Sequence, residues 1–333
     1  MINQPDLPFV LLTHSLPEEW LRSLEGRCQV VCGPWNATQL DPALEPYLDR
    51  AEGLFCLLTI KIDRALLDRA PHLRVVSNMA VGYDNIDVTE CTRRGIPVGY
   101  TPGVLTDGTA DLAMALLLAM ARRLPEASQD ARAGLWKTWS PAGWLGADLN
   151  GATLGIVGMG KIGQAVVQRA HGFGLHILYS DVNRLPTETE QKLQITWQPF
   201  DELIQQSDLI SIHVPLTPQT RGLIGADQLR RMKPTAVLVN TARGPVVQTA
   251  ALLQALQENW IAGAALDVTD PEPLPADHPL YTLPNCLIVP HIGSATRNTR
   301  RRMAELACEN LIAGLESKPL PNCVNPEVTQ RNK

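Results

Sequence analysis

The sequence predicts an α/β protein built from two doubly wound parallel-sheet domains, on three observations. The chain has 333 residues, and a single core rarely grows beyond about 250–300 residues. Short apolar runs alternate with helical patterns along the whole length, as parallel β-α-β units require. A glycine-rich turn between a strand and a helix stands close to the middle of the chain, at residues 158–163.

In the first hundred residues the strand candidates are Phe9–Thr13, Gln29–Cys32, Gly53–Thr59, Leu73–Ser77 and Pro97–Tyr100. Helical segments such as Pro17–Leu24 and Arg64–Arg69 separate them. A long helix is expected over about Thr109–Arg132, small and apolar nearly all round its first half, hence buried between domains or subunits. Residues 134–149 hold Trp136, Trp139 and Trp144 among Gly and Pro and read as a connector. A second series follows with strands Thr153–Val157, His176–Ser180, Leu209–Val214, Ala236–Asn240, Gly263–Leu266 and Cys286–Val289. Six strands make a complete dinucleotide-binding sheet. A last helix over about Arg300–Leu315 ends the pattern.

Composition narrows the function. Hydrophobic residues make up 45%, enough for packed cores and too many for a disordered chain. The net charge of −5 argues against a dedicated nucleic-acid binder. Charged residues are only 19%, below the roughly 25% of a typical domain, which hints that a partner subunit covers some surface. The N-terminus lacks a basic region before its short apolar run, so no signal peptide is expected. The longest apolar stretch, Leu112–Ala121, is about half of a membrane span. Seven cysteines without a C-x-x-C pair read as reduced thiols of a cytoplasmic protein, and the scattered histidines offer no metal-ligand spacing.

The glycine turn carries the first functional signal. Gly158, Gly160 and Gly163 form the G-x-G-x-x-G pattern after a strand and at the start of a helix. The first permits the tight turn, the second the approach of a pyrophosphate, the third close packing of helix on strand. The N–H groups of Lys161 and Ile162 then face the phosphates at the helix N-terminus. Asp181 ends the next strand eighteen residues beyond Gly163, where an acid binds the ribose hydroxyls of NAD and repels the 2′-phosphate of NADP. Arg184 nearby keeps NADP open as the other reading.

Three residues at or just after the ends of the later strands carry the second signal: Arg243, Glu272 and His291. Reduction of a 2-oxo acid needs a cation to grip the carboxylate, which Arg does bidentately. It also needs a proton donor for the carbonyl oxygen, a task suited to His. A carboxylate beside that His favours the imidazolium and fixes the ring. Singly these residues also read as a helix cap, a solvated loop charge and a core histidine. Their joint placement beside a dinucleotide loop favours chemistry.

These residues lie in stretches that resemble the D-isomer-specific 2-hydroxyacid dehydrogenases over nearly the whole chain. The matching stretches are Val81–Asp87, Gly155–Gly163, Asn240–Gly244, Leu266–Pro273 and Pro290–Thr296. Within the family the chain looks most similar to the glyoxylate/hydroxypyruvate reductase branch, through Tyr100–Asp107, Arg122–Glu126, Trp136–Trp139 and Asp267–Pro275.

The resemblance implies a Rossmann coenzyme domain at 102–291 and a discontinuous flavodoxin-like substrate domain at 1–101 plus 292–333, with a cleft between. It implies Arg243, Glu272 and His291 as catalytic residues, and backbone amides of Val81 and Gly82 as carboxylate ligands. Pro215, Thr241, Ala242 and Asp267 are implied coenzyme contacts. A homodimer built around the helix near Asp111–Met120 is implied, with Trp139 reaching the partner's substrate pocket. The implied reaction is hydride transfer from NAD(P)H to a small 2-oxo acid, giving the D-2-hydroxy acid. Many reductases of the branch that prefer NADPH carry an Arg where this chain has Asp181-Val182-Asn183. A phosphite-oxidising branch shares much of the sequence but carries a Lys at the place of Val81. A corepressor branch uses the same scaffold as a coenzyme sensor and typically adds disordered tails, whereas only residues 321–333 follow the last helix here. The arginines 297, 300, 301 and 302 lie beside Glu305 and Glu309 at helical spacing and read as a solvated, ion-paired face, not a nucleic-acid contact.

Overall fold

A computed structural model describes residues 7–330; the first six and last three residues, which the N-terminal reading and the ranges 1–101 and 292–333 include, lie outside the described residues. The described chain divides into two compact units, one of residues 7–105 with 296–330 and the other of 106–295.

The first unit holds a five-stranded sheet of β1 (Phe9–Leu12), β2 (Gln29–Cys32), β3 (Gly53–Cys56), β4 (Val75–Asn78) and β5 (Val98–Gly99). The order is β2-β1-β3-β4-β5 and every pairing is parallel, which is the flavodoxin-like winding. β1, β3 and β4 are buried at every position, because helices and turns cover both faces of a parallel sheet. The helix Arg297–Leu315 lies against β3 and β4 in this unit. It begins a turn earlier than expected, where the Thr296 hydroxyl accepts from the Thr299 N–H at 3.2 Å. Arg302 pairs there with Glu305 at 3.2 Å and Glu309 at 3.0 Å, as the helical spacing predicts.

The second unit holds β6 (Thr153–Val157), β7 (His176–Ser180), β8 (Ile195–Trp197), β9 (Leu209–Ile212), β10 (Val237–Asn240), β11 (Gly263–Leu266) and β12 (Cys286–Ile288). Their order, β12-β11-β10-β9-β6-β7-β8, is that of a Rossmann sheet with a seventh strand added. The sequence does not predict β8. It has three residues at the sheet edge, too few to show a period. One face is packed by the helices Thr106–Ala121 and Lys161–Ala170, through Ala113, Leu117, Val166 and Ala170. The other is packed by Leu203, Leu229, Leu252 and Leu256 of the shorter helices.

Two helical expectations need correction. The long helix ends at Ala121, and a second one runs over Leu124–Arg132. Pro125 has no N–H and its ring would strike the Ala121 carbonyl in a continuous helix. That carbonyl instead accepts from Ala147 N–H at 2.8 Å, and Arg123 turns the chain in the left-handed region at φ 51. The segment 17–24 forms two 3₁₀ turns, Glu18–Trp20 and Arg22–Leu24, in which only Leu24 is buried. Without an apolar stripe to bury, nothing extends them into an α-helix. Among the described residues, no helix is long and apolar enough to cross a membrane.

Candidate active site

The registers of the second sheet place the site. Ser180 pairs with Val157, Val157 with Ile212, Ile212 with Asn240, Asn240 with Leu266, and Leu266 with Ile288. The loops after β7, β6, β9, β10, β11 and β12 therefore leave one carboxyl edge at one level. This is where open α/β sheets bind ligands. All the candidate residues of this unit except Trp139 stand on or directly beyond that edge. Trp139 lies on the connector and is 80% exposed.

The glycine loop has the shape that a pyrophosphate needs. Gly158 takes φ +98, and a Cβ there would sit 2.8 Å from the His213 carbonyl carbon. At Gly163 a Cβ would stand 2.3 Å from the Gly158 oxygen, so the helix packs onto the turn only without a side chain. Among the described residues, a Cβ at Gly160 would meet nothing within 4 Å, and no side chain caps the helix that starts at Lys161. The N-terminus, with the N–H groups of Lys161 and Ile162, is thus open to an anion. Asp181 accepts from Met159 N–H at 2.7 Å and from Asn183 N–H at 2.9 Å, so it braces the loop. We expect Gly158→Ala to weaken NADH binding by about 10–100-fold, since backbone strain there costs about 1–3 kcal/mol. A fluorescence titration beside a melting curve checks this; unchanged affinity in a folded variant refutes the assigned role.

Beyond β9 and β10 the edge carries Pro215, Thr241 and Ala242. Thr241 Oγ1 is shut off from solvent and has no hydrogen-bond partner among the described residues, a donor poised for a ligand. Pro215 is exposed at the edge, and its carbonyl accepts from the Thr220 hydroxyl at 2.6 Å. His213 lies behind the glycine turn. Burial pulls its pKa down to about 4, so the ring is neutral, and it bonds Ser211 at 2.8 Å through Nε2.

Arg243 is positioned by a device that the sequence reading did not single out. The buried Asn240 side chain accepts from Ala242 N–H at 3.0 Å and donates to the Arg243 carbonyl at 2.9 Å, bracing the loop across the strand end. Gly244 follows because a Cβ there would lie 1.8 Å from the Thr269 oxygen. The β10 loop is thereby pressed against the β11 loop, which carries Glu272.

His291 and Glu272 meet directly, Nδ1 to Oε1, at 2.5 Å. The other carboxylate oxygen of Glu272 accepts from Thr269 N–H at 3.3 Å. His291 itself is held at φ 50, a conformation costly for a residue with a side chain. Asp267 holds it there. Its carbonyl accepts from His291 N–H at 2.9 Å, and its carboxylate accepts from Ile292 N–H at 2.6 Å and Gly293 N–H at 2.9 Å. Burial pushes this carboxyl up against the pull of its two amide donors. The side chain expected to touch coenzyme thus spends both oxygens on the histidine loop.

The remaining candidates belong to the first unit. Val81 and Gly82 follow β4, and the buried Asn78 donates from Nδ2 to the Gly82 carbonyl at 2.9 Å. The Ala80 carbonyl accepts from Thr101 N–H at 2.9 Å, which pins the turn from its other side. Gly82 is half-buried and Val81 lies beside it in the same turn.

A Rossmann sheet with an open glycine loop, and an imidazole–carboxylate pair on the same edge, define a nicotinamide-dinucleotide-dependent dehydrogenase. Residues 114–293 match the family described as D-isomer specific 2-hydroxyacid dehydrogenase, NAD binding domain. A glyoxylate reductase of Korarchaeum cryptofilum (strain OPF8) is 49% identical over 324 residues, covering 97% of each chain. A crystal structure of a protein from Thermus thermophilus superposes with TM-score 0.88 at 47% identity, over 95% of this chain and 99% of that one. An NADPH-dependent glyoxylate/hydroxypyruvate reductase of Sinorhizobium meliloti, solved with NADP and malonate, superposes with TM-score 0.82 at 33% identity, over 95% and 96%. The chain belongs to the D-isomer specific 2-hydroxyacid dehydrogenase family.

Proposed function

We propose that the protein reduces glyoxylate, hydroxypyruvate or a similar small 2-oxo acid to the D-2-hydroxy acid, with NADH as donor. The observation that carries this reading is the 2.5 Å His291–Glu272 pair on the sheet edge that also bears Arg243 and the glycine loop. The reductase names of similar proteins support the substrate class.

The nicotinamide coenzyme, when bound at this edge, supplies a hydride for C2 of the substrate. The glycine loop and the N–H groups of Lys161 and Ile162 hold its pyrophosphate, and Asp181 takes the ribose hydroxyls. Pro215, Thr241, Ala242 and Asp267 would be its further contacts at that edge. Arg243 orients the substrate carboxylate and carbonyl through its guanidinium. His291 protonates the carbonyl oxygen as it gains charge. Glu272 fixes the ring at Nδ1, so that Nε2 carries the proton to be given. Positioning the reactants and stabilising the alkoxide supply most of the acceleration.

The test is a spectrophotometric assay of NADH and NADPH oxidation with glyoxylate, hydroxypyruvate and pyruvate, and of NAD reduction with phosphite. Rapid NADH loss with glyoxylate or hydroxypyruvate is expected. Silence with every 2-oxo acid overturns the reading, and turnover of phosphite alone replaces it.

A homodimer is part of the proposal. The connector leaves Leu135, Trp136, Trp139 and Leu145 each more than 60% exposed, a density of apolar surface suited to a second copy. Trp139 then enters the partner's substrate pocket. Sedimentation should give twice the chain mass of 36.4 kDa. A monomer at assay concentration refutes this.

A further inference from the structure

The turn after β7 contains one arginine, Arg184, next to the strand end that Asp181 marks. An arginine in this region is what accommodates the 2′-phosphate of NADP. Arg184 is already committed. Its Nε donates to Glu190 Oε1 and its Nη2 to Glu190 Oε2, each at 2.9 Å. Glu190 in turn is 8% exposed at its side chain, while the arginine it holds is 57% exposed. The buried Tyr179 donates its hydroxyl to Glu190 Oε1 at 2.6 Å and accepts from Leu185 N–H at 2.9 Å. The guanidinium carbon stands 5.4 Å from the centre of the Trp197 ring on β8.

We propose that Glu190 is a coenzyme-selectivity residue that acts through Arg184, withholding the guanidinium from the 2′-phosphate of NADPH. A phosphate and a carboxylate compete for the same planar donor pair. For Arg184 to serve a phosphate it would have to leave a buried carboxylate unpaired, which is strongly unfavourable. The anchoring is stable across the working pH range. Arg184 and Tyr179 hold the Glu190 carboxyl down at about 2, and burial together with Glu190 pushes the Tyr179 hydroxyl up to about 12. Selectivity for NADH thus has two parts: Asp181 repels the phosphate, and Glu190 denies it a cation. This inference rests on the reading that a nicotinamide dinucleotide occupies the glycine loop.

The experiment compares Glu190→Gln, Arg184→Met and the double variant, with NADH and NADPH titrated against saturating glyoxylate. In Glu190→Gln the guanidinium departs without stranding a charge, so KM for NADPH should fall about tenfold, equivalent to one strengthened charged contact. The NADH KM and the kcat with either coenzyme should hold within about twofold, a split that general loosening of the fold would not produce. Arg184→Met alone should leave the NADPH KM unchanged, and in the double variant it should erase the gain. An unchanged NADPH KM in Glu190→Gln overturns the proposal. So does a raised NADPH KM in Arg184→Met alone, and this second result decides the matter even if Glu190→Gln does not fold. Fluorescence titration of both coenzymes without substrate separates the two levels. If no 2-oxo acid is reduced, the activity reading falls while the coenzyme affinities still report on the Glu190 lock.

Discussion

His291→Ala is expected to lower kcat by about 10²–10⁴-fold, the usual contribution of a positioned general acid, with NADH affinity unchanged. That range corresponds to about 3–5 kcal/mol of barrier. The physical ground is the short Nδ1–Oε1 contact with Glu272, which fixes the ring at the carboxyl edge of the sheet. Stopped-flow single turnovers measure the chemical step directly, and coenzyme fluorescence measures binding. An alanine variant that turns over at the parent rate removes His291 from the reaction. Glu272→Gln should show a smaller loss, because the amide oxygen can still accept from Nδ1 and orient the ring.

Arg243→Ala should cost about 10²–10³-fold in kcat/KM for glyoxylate, in line with deleting one donor to a developing oxyanion. The loss should divide between a raised KM, from the carboxylate, and a lowered kcat, from the carbonyl. Arg243→Lys should recover little of it. A lysine is a point charge without the planar donor pair, and the Asn240 brace fixes the backbone for a longer, forked side chain. Near-parental kinetics in the lysine variant would show that only charge is needed and that the bidentate role is wrong.

The parts of this site that depend on local chain order were readable from the residues. The glycine turn announces itself by spacing, and the strands that deliver Arg243 and His291 are near-continuous apolar runs closed by Asn240 and Pro290. The supports were not readable. Asp267 looks like any acid at a strand end until Ile292 and Gly293 fold back onto it, a pairing 25 or 26 residues distant in the chain. Asn240 could be recognised only as part of a motif, since its brace depends on the turn that it creates. Glu190 carried no signal at all, because its partners Tyr179 and Arg184 meet it only after β7 and the following helix are packed. The helix break at Arg122–Arg123 had a visible cause in Pro125, outweighed in the reading by the small, apolar sequence before it.

The common level of the strand ends acts as a ruler. Parallel strands stand about 4.8 Å apart, so the glycine loop on β6 and the histidine loop on β12 are separated by roughly 19 Å along the edge. That interval is set by backbone pairing and owes nothing to the loops themselves. Changes of length or composition beyond the edge can therefore retune which acid is accepted while the docking track for the dinucleotide keeps its gauge. An insertion inside β9, β10 or β11 would instead shift every reactive group past its neighbour at once. Divergence of substrate in such a molecule is expected to be written in the loops, and the strands to be the part that tolerates no rewording.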